Sequence, residues 1–173
     1  MNAHTLLLAA RESAQVERCH TLPHIGSYSV GQHCYGALAL LLLLHKSPSL
    51  DLIKAVAFHD LPERWLGDIP SPGKTGAIAK AFQAAEAEIF EKLGLQFDLT
   101  DDDKFWLKLV DVLDLWVWTK EQQTLGNHAA DEIAGRLGGW LQASTLPEGV
   151  RDFIWFRTQH PARLSSEFSE VPL

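Results

Sequence analysis

A chain of 173 residues, 46% hydrophobic and 21% charged, can bury roughly two-thirds of its unfolded surface in one core and is too apolar to stay disordered. Its formal net charge of −7 argues against a nucleic-acid binder, which needs a basic stripe to displace counterions from the phosphate backbone, although a bound cation can still make a pocket locally positive. Cys19 and Cys34 match no zinc-finger or redox spacing, so no disulfide framework is expected and a reducing cytoplasm is the natural setting.

The first run, Thr5-Leu6-Leu7-Leu8-Ala9-Ala10, lacks the basic flank and the length of a secretory signal and reads as a helix. Ser29-Val30-Gly31-Gln32 has the form of a capping box and opens a helix to about His45, with His33 in its first turn. The leucine-rich stretch Ala37 to Leu44 falls far short of the about 20 residues that a bilayer span takes. It is read as buried helix core, and no membrane is expected as a partner. Ser49 can cap the next helix, through Ile53, Val56 and Ala57 to His59-Asp60, where Pro62 opposes continuation.

Gly67-Asp68-Ile69-Pro70-Ser71-Pro72-Gly73-Lys74 reads as a loop. A helix from about Thr75 to Leu93 follows, with Ala79, Phe82, Ala85, Ile89 and Leu93 at helical spacing and Gly94 as its stop. Thr100 with Asp103 suggests a cap for a tryptophan-rich helix to about Thr124 that carries Asp111 and ends at Gly126-Asn127. Two more helices, about His128 to Ala143 and Pro147 to His160, precede a frayed tail after Pro161. No strand-like alternation persists and no linker divides the chain. The expected class is therefore all-α, a single-domain helical bundle over residues 1–173 with its core at about 18–145.

The chemistry lies in an ordered set, His33, then His59-Asp60, then Asp111. Two imidazoles and two carboxylates make a mixed nitrogen and oxygen site that suits Mn, Fe, Co or Zn better than Ca and leaves positions open for water and a phosphate oxygen. A lone histidine in a helix is more often surface or satisfied core than ligand, so His33 by itself carries no argument. Asp111 is harder to set aside, because it lies between Val110 and Val112, where an unpaired buried carboxylate would cost several kcal/mol. Asp114, one turn on, is the alternative, and a solvent-facing salt bridge would explain either in isolation.

Glu63 follows Asp60 by one turn, and Asp68 stands in the Gly67 to Lys74 loop. With these, the chain from about Arg18 to Trp118 resembles the HD-domain 5′-deoxynucleotidases of bacteria and the smaller phage dATP triphosphohydrolases. Their pattern is His, then His-Asp with a nearby Glu, then Gly-Asp-hydrophobic-Pro-Thr/Ser-Pro-x-Lys, then a distant Asp. The resemblance implies a helical bundle of the HD-domain type, with His33, His59, Asp60 and Asp111 as metal ligands. It implies that Glu63 and Asp68 handle the protons of the attacking water and the leaving oxygen, while Arg18 and Lys74 hold phosphate oxygens. The sequence departs from the nucleotidases at Gln32, where they carry Glu, and at Cys19, where they carry Trp after the arginine. The segment Cys19-His20-Thr21-Leu22 is accordingly expected to build a different nucleoside pocket, lined by His20 and Leu22.

Six tryptophans invite a base-stacking role, but indoles in helices are more often core or interface. Only Trp65, close behind Glu63, is kept as a substrate-binding candidate; the aromatic excess itself suggests a homo-oligomer, and the resemblance points to a dimer or hexamer. The expected function is hydrolysis of a purine deoxynucleotide at its α-phosphate ester, dATP giving deoxyadenosine and triphosphate. The expected cofactor is a divalent ion, Co, Mn or Zn at the HD site, with Mg or a similar ion bridging phosphates. Its partner is a small deoxynucleotide and not a nucleic acid, in the cytoplasm (the host's, for a phage-encoded chain). The alternatives are a 5′-deoxynucleotidase acting on dAMP or other deoxynucleoside monophosphates, a cyclic-nucleotide or cyclic-dinucleotide phosphodiesterase, and a non-catalytic nucleotide-sensing module. The phosphodiesterase reading lacks a Gly-Tyr-Pro signature and further histidine ligands, and Glu63 with Asp68 argues against the sensor.

Overall fold

The computed structural model describes residues 3–70 and 73–159. The order is α1 (Ala3–Ser13), α2 (Val30–Leu44), α3 (Leu50–Phe58), α4 (Glu63–Leu66), α5 (Gly76–Leu93), α6 (Asp101–Thr124), a 3-10 turn (His128–Ala130), α7 (Asp131–Ala143) and α8 (Glu148–Gln159). The fold is all-α. Among the described residues the only strand-like feature is an isolated antiparallel bridge between Glu17 and Ser29. No helix among them is long and apolar enough to cross a membrane. Ser71 and Pro72 of the expected loop, His160 and the tail after Pro161 lie outside the described residues.

Two compact units can be distinguished, Met1–Asp114 and Leu115–Leu173. In the first, α2 packs on α3, and α1 packs on α2 and α4. Leu41, Leu52, Val56, Leu61, Leu109, Val110 and Leu113 are fully enclosed, each such aliphatic side chain favouring the fold by about 1.5–3 kcal/mol. A second cluster joins Ala9, Leu61 and Leu93, with Phe58 and Ile89 packed against it, and fastens α5 to α1. The leucine run of α2 divides by helical period. Ala37, Leu40 and Leu41 are buried, whereas Leu42 and Leu43 stay 54% and 82% exposed, because only one stripe of a helix can face this core. In the second unit Trp116, Trp118, Ala134, Leu141 and Val150 are buried, while Trp155 is exposed.

Helix α2 opens with a complete capping box between Ser29 and Gln32, worth about 0.5–2 kcal/mol. Ser49 accepts from the Leu52 N–H at the start of α3. Thr100 and Asp103 exchange hydrogen bonds at the start of α6, and Gly94 closes α5 in the left-handed region. Helix α3 ends at Phe58 instead of running through Asp60, and residues 59–62 form turns. Pro62 then precedes the short α4, since its fixed φ of −59° and missing N–H suit a helix start.

Candidate metal centre

Three short stretches converge in the first unit. The antiparallel contact of residues 16–18 with 28–30 is made by Val30 N–H donating to the Val16 carbonyl and Arg18 N–H to the Tyr28 carbonyl, each at 2.8 Å. That contact sets Arg18 and Tyr28 beside the first turn of α2, which presents His33. The turn after α3 presents His59 and Asp60, and the buried face of α6 supplies Asp111 and Asp114.

His33, His59 and Asp60 each offer a ligand atom within 4.8 Å of the other two. His33 Nε2 lies 3.1 Å from His59 Nε2 and 3.6 Å from Asp60 Oδ2, and His59 Nε2 lies 3.5 Å from the same oxygen. Asp111 Oδ1 reaches His33 Nε2 at 3.3 Å, while its Oδ2 accepts from the Lys108 ammonium at 2.8 Å. The far nitrogens of both rings are engaged as donors: His33 Nδ1–H to Asp114 Oδ2 at 2.8 Å, His59 Nδ1–H to the Val56 carbonyl at 2.9 Å. With both rings neutral, the His33 Nε2 lone pair would face His59, Asp60 and Asp111, and the His59 Nε2 lone pair would face His33 and Asp60. Such a set of acceptors calls for a cation or a proton at its centre, and the mixture of imidazole and carboxylate fits a divalent transition ion.

The electrostatics agree. Burial opposes charge on His33, but hydrogen bonds to Asp111 and Asp114 outweigh it and raise the imidazole to about 9. Burial likewise works against ionisation of Asp111, yet the His33 hydrogen bond and the Lys108 charge hold its carboxyl well below the usual range. Asp60 is also lowered, burial being overcome by His59, Arg18 and His33. Glu63 goes the other way. Buried at 3% exposure beside Asp60, it is pushed up to about 8 by desolvation first and by the Asp60 charge second. Glu63 Oε2 and Arg18 Nε are both buried with no hydrogen-bond partner among the described residues.

Arg18 pairs with Asp60 and lies 3.9 Å from Asp111. Asp68 accepts from the Cys19 N–H at 3.1 Å and lies 3.8 Å from the half-exposed His20. Cys19 itself holds the left-handed conformation, φ 54°, which costs a non-glycine residue about 1–2 kcal/mol. Leu22 is half-buried and closes a turn onto the Cys19 carbonyl. Trp65 is 47% exposed and stacks under the Arg64 guanidinium at 4.6 Å, so its described contact is with a neighbour on α4 rather than with the histidines. The Lys74 ammonium sits 5.5 Å from the Phe82 ring centre.

Sequence reasoning passed over two groups. Glu86, one turn beyond Phe82 on α5, is half-buried and raised by burial, within the electrostatic reach of Lys74, Asp60 and His59. Tyr28, 4% exposed, donates its hydroxyl to Asp114 at 2.8 Å. Neither lies in a motif, and only the packing of α5 and the bridge at residues 16–18 bring them in.

No family model and no curated protein matches the sequence. Solved structures do. The cyanophage S-2L HD phosphohydrolase DatZ, bound to dA and one catalytic Zn2+ ion, is 16% identical over 92% of this chain and 95% of its own, with a TM-score of 0.63. A protein from Pyrococcus horikoshii OT3 is 18% identical over 90% and 98%, at 0.74. An HD-domain phosphohydrolase from Listeria innocua is 17% identical over 95% and 92%, at 0.76. The chain has the fold of the HD-domain phosphohydrolases.

Proposed function

We propose that the protein is a metal-dependent hydrolase acting at the α-phosphate ester of a deoxynucleotide, and that dATP is cleaved to deoxyadenosine and triphosphate. The observation that carries this reading is the pair of facing Nε2 atoms, 3.1 Å apart beside Asp60 and Asp111, with the unpaired Glu63 Oε2 buried nearby. The fold shared with a phage enzyme bound to dA supports the choice of nucleoside.

His33, His59, Asp60 and Asp111 would hold one Co, Mn or Zn ion, and Mg or a similar ion would accompany the phosphate tail. A divalent ion held there would supply Lewis acidity toward a phosphoryl oxygen and a water of lowered pKa. Arg18 faces the same centre and would hold an α-phosphate oxygen against the charge that develops there. Asp68, which accepts from the Cys19 N–H, would take a proton from the attacking water. Glu63, its carboxyl pushed up by burial and by the Asp60 charge, would deliver a proton to O5′ as the P–O5′ bond breaks. The balance is one water consumed, a new P–O bond on the triphosphate and a free 5′-hydroxyl on the nucleoside. His20, Leu22 and Trp65 remain the nucleoside-side candidates, and Lys74 the outer phosphate contact.

A second reading, 5′-deoxynucleotidase action on dAMP or another deoxynucleoside monophosphate, is favoured by one observation. The Lys74 charge reaches Glu86 on α5, so a tail of several phosphates held by that ammonium would meet this carboxylate as well. Chromatography of a dATP digest separates the two. Triphosphate and deoxyadenosine should appear together with no transient dADP or dAMP, whereas dATP left intact beside rapid release of phosphate from dAMP would move the assignment. Self-association as a dimer or hexamer belongs to the same proposal, supported by the exposed Trp65 and Trp155, and light scattering at micromolar concentration tests it. The free thiols of Cys19 and Cys34 support action in the cytoplasm.

A further inference from the structure

Behind His33, at the ring nitrogen turned away from His59, stands an arrangement that the hydrolytic reading does not require. Asp114 Oδ2 accepts two hydrogen bonds of 2.8 Å, one from His33 Nδ1–H and one from the Tyr28 hydroxyl. The Tyr28 oxygen also lies 3.1 Å from His33 Nδ1, and the two rings meet edge to face at 6.0 Å. The other carboxylate oxygen, Oδ1, lies where a Cβ on Gly36 would be, so any side chain at position 36 would displace Asp114.

Helical spacing makes the arrangement consistent. His33 and Gly36 are one turn apart on α2, and Asp111 and Asp114 are one turn apart on α6, so each helix offers a matched pair. Asp111 meets His33 at Nε2 and Asp114 meets it at Nδ1. Gln32, the immediate neighbour of His33, cannot serve that nitrogen, because its side-chain oxygen is committed to the Ser29 N–H in the capping box.

We propose that Asp114, clamped by Tyr28 and seated on Gly36, is a positioning residue that fixes the His33 ring with its proton on Nδ1, and is not itself a metal ligand. The inference rests on the metal-dependent reading given above. A neutral imidazole has one lone pair, and a carboxylate that holds Nδ1–H leaves that pair on Nε2 and makes it more basic. Tyr28 supplies the second donor that a partly buried carboxylate needs, and so holds Asp114 in place.

The test is titration of the metal-free protein with Co2+, reading affinity by competition with a chromophoric chelator and ligand geometry by visible absorption. Asp114→Asn should lower affinity about 10- to 100-fold while the band positions stay those of the wild type. Tyr28→Phe should show a smaller loss in the same direction, with helical circular dichroism unchanged. Wild-type affinity in Asp114→Asn would overturn the proposal, and so would an altered Co2+ spectrum, which would make Asp114 a ligand. If Asp114→Asn does not fold, wild-type affinity in Tyr28→Phe overturns it. Tight Co2+ binding by a wild type that hydrolyses no nucleotide would sink the functional reading and leave this one standing. A wild type that binds neither Co2+ nor Zn2+ would sink both.

Discussion

His33 Nε2 and His59 Nε2 stand 3.1 Å apart while the opposite nitrogen of each ring donates a hydrogen bond, so whatever bridges the gap must be positive. In the metal-free protein that role falls to a proton on His33, whose imidazole is raised to about 9. A divalent ion has to displace it. Apparent affinity for Zn2+ should therefore climb close to tenfold per pH unit from about pH 7 until it levels near pH 9. Chelator competition across that range checks it, and a flat profile would show that no proton leaves on binding.

Stability without metal should run the opposite way. His33 is raised from 6.5 to about 9 and Glu63 from 4.5 to about 8, so the folded chain holds protons that the unfolded chain has released. Their contribution is complete below the unfolded values and is lost as pH rises through about 8 and 9. The lowered carboxyls of Asp60 and Asp111 add stability that disappears at the acid end instead. Thermal melts of the metal-free protein should peak in mildly acidic buffer and fall toward pH 9. Added Zn2+ should reverse that fall, and melts insensitive to pH between 5 and 9 would contradict the assignment.

Asp111→Asn and Glu63→Gln should fail differently. Asn keeps the shape of Asp111 but carries no charge toward His33 or Lys108, so metal content and turnover should vanish while the helical spectrum survives. Gln at position 63 preserves a buried polar group but cannot deliver a proton. Metal content should stay normal and kcat should fall by about 10²-fold or more. Normal metal content in Asp111→Asn would exclude it as a ligand.

Glu86→Gln probes the outer edge of the site. Removing one carboxylate near Lys74 should raise kcat/KM on dATP relative to dAMP by about two- to fivefold, the scale of a partly screened charge. An unchanged ratio would mean that the phosphate tail does not pass Glu86.

The helices that begin with a polar cap and end at a glycine were legible in the sequence, because Ser29, Ser49, Thr100 and Gly94 act through bonds within a few residues of themselves. The His33, His59-Asp60 and Asp111 order was legible for a related reason. Each is a titratable group on or beside a segment that otherwise reads as core. Short α4 was not, since a helix of one turn leaves no period to read. Tyr28 was hidden because its position depends on Arg18 and Val30 reaching back across a loop, a contact with no local signature. Asp114 could be named but not placed, as spacing puts it on the same face as Asp111 without saying which nitrogen of His33 it meets. Trp65 shows the converse, an exposed aromatic beside a motif whose described partner is the adjacent Arg64.

The pairing of Arg18 with Tyr28 and of Val16 with Val30 closes residues 19–27 into a loop whose two ends are tied together by the backbone. Both ties are backbone hydrogen bonds, so the hold on Arg18, Tyr28 and the first turn of α2 does not call on the side chains of residues 19–27. The loop is in this sense an exchangeable cassette. Descendants of this chain could trade residues 19–27 while His33, His59 and the groups that hold their Nδ1 atoms pass through unaltered.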